Sequence, residues 1–106
     1  MTPSKPPTAS GISRLLKAAG FERSESSATR IKGWRNYSEG FMVTSHDPGR
    51  AVCVEHKTGY DRGPNAAKRR DEMLTEYAGF FAAAGYSAER DESWAFPRLI
   101  VTAKED

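Results

Sequence analysis

Apolar residues recur at Ile12, Leu15, Leu16 and Ala19, the i, i+3, i+4, i+7 spacing of a helix with one buried stripe. Ser10 can cap that helix and Gly20 can supply a left-handed stop, so the pattern predicts a first helix between them. The period then shortens. Phe21 to Arg23 reads as a short strand, Ser24 to Ala28 as a polar turn, and Thr29 to Trp34 as a second strand. In that strand Arg30, Lys32 and Trp34 share one face and Ile31 points to the core. The β-rich runs 41–45 and 50–56 flank His46-Asp47-Pro48-Gly49, whose Pro-Gly pair suits a tight turn, and this is the clearest hairpin in the chain. After a polar loop over 57–63, Pro64 and Asn65 open a second helix with Met73, Tyr77, Phe80, Phe81 and Ala84 on one side and Gly85 at its end. Tyr86 to Arg90 and Phe96 to Ala103 complete the set, joined by a turn at Asp91-Glu92-Ser93, with Pro97 tolerable only near a strand start.

The pattern predicts an α+β domain: two helices packed on one face of an antiparallel sheet of about five strands, the other face left free. The order is α-β-β-β-β-α-β-β or α-β-β-β-α-β-β. Leu15-Leu16-Lys17-Ala18-Ala19-Gly20-Phe21 also lines up with Phe80-Phe81-Ala82-Ala83-Ala84-Gly85-Tyr86, and Met42-Val43-Thr44-Ser45 with Ile100-Val101-Thr102-Ala103. Two related α-β-β halves would produce this match, and so would any pair of amphipathic helices that end in glycine and feed a core strand.

A chain of 106 residues fits one domain, and 38% hydrophobic with 28% charged residues is globular composition. Residues 1–10, with three prolines among small polar residues, read as a flexible tail, and 11–104 as a single α+β domain. One cysteine, Cys53, excludes an internal disulfide and favours a reducing compartment. With no signal-like N-terminal segment and no stretch of membrane-span length, a cytoplasmic location is expected, and no membrane partner.

Charge changes the picture most. Residues 28–70 hold nine Lys and Arg against four acids, whereas 71–106 hold three against eight, an asymmetry hidden by the net charge of +2. Arg30, Lys32, Arg35, Lys57, Arg62, Lys68, Arg69 and Arg70 form the basic set, with Trp34 and Tyr37 among them. Cations neutralise phosphates and aromatic faces stack on exposed bases, so this set is the candidate nucleic-acid surface. The competing reading is a solvated surface paired in part with Glu39, Glu55 and Asp61. Lys68, Arg69 and Arg70 fall in the first turns of their helix, where the dipole disfavours cations. Trp34 is either a partner-contact aromatic or a core residue near a bulge at Gly33.

His46, Cys53 and His56 fall short of the four spaced ligands of a structural zinc site, and a cysteine inside an apolar strand is usually inert. There is no Gly-rich phosphate loop, nucleophile elbow or paired-carboxylate motif. No cofactor, metal, catalytic residue or small-molecule substrate is therefore inferred.

Leu15-Leu16-Lys17-Ala18-Ala19-Gly20-Phe21, followed by three strands and a helix, resembles the start of HicA-type RNA-cleaving toxins. The resemblance implies a double-stranded-RNA-binding-like fold. Those toxins carry a catalytic histidine in a Gly-Ser-His segment on the second strand. Ser26-Ser27-Ala28-Thr29-Arg30 has none, so the resemblance does not extend to their nuclease activity.

The expectation is thus a small non-enzymatic binding protein contacting nucleic acid through the basic and aromatic surface of strand two, the 57–63 loop and the start of helix two. The alternative is a protein-interaction module, a regulator, inhibitor or homodimer, using the open sheet face or an edge strand.

Overall fold

A computed structural model describes residues 6–28, 35–59, 63–93 and 96–104. Its elements are α1 (Ala9–Ala18), β1 (Ser26–Ala28), β2 (Arg35–Tyr37), β3 (Gly40–Asp47), β4 (Ala51–Lys57), α2 (Pro64–Ala83), β5 (Tyr86–Asp91) and β6 (Arg98–Ala103).

The architecture is α+β: two helices against a four-stranded antiparallel sheet of order β3-β4-β6-β5. Alternation along the strands directs Phe41, Val52, Val54, Leu99 and Val101 to the helical side. There they close a single core with Ile12 and Leu16 of α1 and Leu74, Tyr77 and Phe81 of α2. Both helices therefore cover the same face, as their apolar stripes predict. Gly20 and Gly85 end them at φ +96° and +92°, the left-handed geometry that glycine adopts without strain.

Three expectations need correction. Thr8, not Ser10, caps α1: its Oγ1 accepts from the Gly11 N–H at 3.0 Å, and Ser10 lies inside the helix. The helix reaches back to Ala9 because Ala9 extends the buried stripe onto the core. Ser26–Ala28, expected as a turn, is a strand that pairs antiparallel with β2 in a separate two-stranded sheet. Backbone pairing forms it without the apolar alternation that marks a strand in the sequence. Phe21–Arg23 makes no strand of its own and contributes a single parallel bridge, Arg23 to Phe41. The main sheet accordingly has four strands rather than about five. The expected strand Thr29–Trp34 lies outside the described residues. Met42–Ser45 sits on the edge strand β3 and Ile100–Ala103 on the inner strand β6, so those matched stretches do not occupy equivalent places.

Gly40 is where two backbones meet. Phe41 N–H donates to the Glu22 carbonyl at 2.9 Å, and Ser24 N–H to the Phe41 carbonyl at 2.8 Å. A Cβ on Gly40 would lie 2.6 Å from backbone atoms of Glu22, Arg23 and Ser24.

The sheet face away from the helices mixes apolar residues such as Met42, Ala51, Cys53 and Ile100 with polar ones. Arg98 Nε donates to Asp91 Oδ2 at 2.9 Å across it, and Cys53 beneath is only 2% exposed. Burial pushes that thiol up from its ordinary range. Among the described residues no helix is long and apolar enough to cross a membrane.

Candidate functional site

The start of α2 is built without the usual acceptors. Its cap, Gly63, has no side chain to bond the first amides, Pro64 occupies the first helical turn, and no acid follows within that turn. Among the described residues no side chain caps this end, and Lys68, Arg69 and Arg70 follow in the second turn.

The three cations diverge. Arg69 forks onto Glu39, with Nε to Oε2 at 3.2 Å and Nη2 to Oε1 at 3.0 Å. Lys68 is exposed on the helix. Arg70 lies over the Phe96 ring, its Cζ 4.5 Å from the centroid. Lys57 ends β4 and pairs with Glu55 at 3.1 Å. Arg35 and Tyr37 are on β2, paired with Ala28 and Ser26. Arg30, Lys32, Trp34 and Arg62 lie outside the described residues.

Lys57 and Arg70 border one cavity of about 400 Å³ between the end of β4, the first turn of α2 and the entry to β6. Ala66 and Ala67 of α2 line it with methyl groups, and Phe96 and Pro97 form an apolar wall. Phe96 is 57% exposed, the large hydrophobic residue that the described part of the chain leaves in solvent. Sequence reading misplaced it inside the last strand. The signal was present in Pro97, which bars the ladder there and starts β6 at Arg98.

Beneath the cavity lies a buried polar chain that the sequence did not disclose. His56 Nδ1 is 2.8 Å from the Tyr77 hydroxyl and its Nε2 is 3.2 Å from Glu39 Oε2. An ionised carboxylate only accepts, so Nε2 carries the proton toward Glu39 and Nδ1 accepts from the phenol. Burial lowers the His56 pKa below 6.5, opposed by its bond to Glu39. Burial also raises the Tyr77 hydroxyl above its usual range, and the Arg69 fork lowers Glu39. Both imidazole nitrogens are thus committed, and the ring is held neutral as a strut rather than presented as a base. Among the described residues no group of three or more His, Cys, Asp or Glu is placed to hold a metal ion.

No family model, curated protein or solved structure matches the chain.

Proposed function

We propose that this is a small non-enzymatic protein that binds nucleic acid along the basic and aromatic surface at the start of α2. The observation that carries the reading is the convergence of Lys57, Arg70 and Phe96 on one cavity beside the start of α2. The Arg70 guanidinium is stacked on Phe96 rather than paired with a carboxylate among the described residues, so its donor edge suits a phosphate. Arg69 is assigned a structural part instead, because Glu39 engages it at both oxygens. A cytoplasmic location belongs to the same reading, with a single buried cysteine and no disulfide.

The two α-β-β halves are read as related. Shifted by 65 residues, Ile12 and Leu16 fall on Tyr77 and Phe81, all four buried, and Gly20 falls on Gly85 with nearly the same φ. The sheet order supports this, since β4 and β6, the last strands of the two halves, lie side by side and antiparallel with β3 and β5 outside them.

The test is binding to labelled single-stranded and duplex DNA and RNA across salt, for the parent and for Lys57→Ala with Arg70→Ala. Each cation on a phosphate contributes roughly one unit to the slope of log affinity against log salt. The double variant should therefore lose affinity and about one to two units of slope. A parent protein that binds none of these at low salt would reject the proposal.

A further inference from the structure

Resting on that reading, we propose that the cavity between Phe96 and the first turn of α2 holds one unpaired nucleotide, its base on the Phe96 ring and its phosphate between Arg70 and Lys57. The protein then selects single strands, or unpaired positions, over duplex.

The argument begins with size. A volume of about 400 Å³ is near the lower end of the roughly 300–1,000 Å³ typical of cavities that enclose one small ligand, and a double helix cannot enter it. The lining is divided in character. Methyl groups of Ala66 and Ala67 and the rings of Phe96 and Pro97 suit a flat apolar body, while Arg70 suits an anion attached to it, with Lys57 beside it bridging that anion and Glu55, which also lines the cavity 3.1 Å from the Lys57 ammonium. A nucleotide is that combination, and its base offers a free face only when unpaired and unstacked.

Phe96 is oriented for this use rather than for the core. Arg70 covers one face of its ring, and with 57% of the residue exposed the rest of the ring can take a base, the guanidinium extending the stacking platform. Small residues on the helix keep the space open. Ala67 is exposed, so a larger side chain there would occupy the cavity without displacing the core.

The experiment compares a labelled single strand, a blunt duplex of the same sequence and a free nucleoside monophosphate, with inorganic phosphate as control. Each is tested against the parent, Phe96→Ala and Ala67→Leu, and unchanged thermal melts establish that the variants are folded. The expected result is preference for the single strand, weakened by roughly 5- to 150-fold in Phe96→Ala, with duplex binding unaffected. Ala67→Leu should act in the same direction although it removes no charge and no aromatic ring. Competition by the monophosphate, but not by phosphate, identifies a free nucleotide as sufficient; competition by the strand alone places the requirement in the polymer.

Equal, salt-sensitive binding of single strand and duplex, unchanged in both variants, would overturn the one-nucleotide cavity and leave the electrostatic surface standing. Absence of binding to every nucleic acid would remove both.

Discussion

Replacing Tyr77 by phenylalanine deletes one hydroxyl from inside the core and leaves the ring. The ring keeps its edge-to-face contact with Phe21, centroids 5.0 Å apart, so packing is nearly conserved. What changes is His56. Its Nε2 proton goes to Glu39, and Nδ1 loses the phenol that is its donor at 2.8 Å. With Tyr77 fully buried and His56 5% exposed, little water can replace that donor. An orphaned buried acceptor costs about 1–3 kcal/mol. In a domain of this size each kcal/mol shifts Tm by about 4–8 °C, so a fall of about 5–20 °C is expected. Urea denaturation followed by circular dichroism should show a lower midpoint at unchanged slope. Tyr86→Phe is the control, half-buried against the same core and expected to stay within about 0.5 kcal/mol of the parent. If Tyr77→Phe were as stable as that control, the buried chain would not stabilise the fold and the assigned proton positions would lose their support.

The Glu39 carboxylate raises the His56 pKa against the effect of burial, so Glu39→Gln should move the His56 titration lower still, read from its ring-proton NMR shift. Because the folded value already lies below 6.5, the unfolded chain takes up the proton first. Stability is therefore full above pH 6.5 and declines as pH falls below it, further in the variant than in the parent. Asp91, held by Ser93 and then Arg98, is lowered from 3.8 to about 2. Its contribution is present above pH 3.8 and lost as pH falls toward about 2, so acid denaturation of Asp91→Asn should show no such dependence in that window. Gly40→Ala, with its Cβ 2.6 Å from three backbone atoms, should destabilise by well over the roughly 1 kcal/mol expected of Gly49→Ala, which meets nothing within 4 Å. Equal melting temperatures for the two variants would refute the close approach at Gly40.

The helices, the hairpin of β3 and β4 and the glycine stops were legible because each is a local pattern with a local cause. Amphipathic spacing, a Pro-Gly turn and a positive φ act within a few residues. The strand β1 was not legible, since Ser26-Ser27-Ala28 has no apolar alternation and owes its state to pairing with β2. The surface was legible only as charge. Nothing in the run Lys68-Arg69-Arg70 distinguishes the arginine that forks onto Glu39 from the one that lies on Phe96; 30 residues separate the first pair and 26 the second. Long-range partners of this kind are set by the packed fold.

The two helices differ in length beside the cavity, ten residues in α1 against twenty in α2. Under the same shift, Ala9–Ala18 of α1 matches Leu74–Ala83, the second half of α2. That half carries Leu74, Tyr77 and Phe81, and of the ten preceding residues only Ala66 is buried. The first half of α2 therefore has no counterpart in α1 and contributes little to the shared core. Apart from Ala66 and Met73 its side chains make little contact with the core, so Lys68, Arg69 and Arg70 are placed toward solvent, Glu39 and Phe96. Glu39 compensates Arg69. For Arg70 the described residues offer an aromatic ring and an open cavity. The proposed phosphate would therefore meet this extension where it adds charge beside the cavity and little to the core.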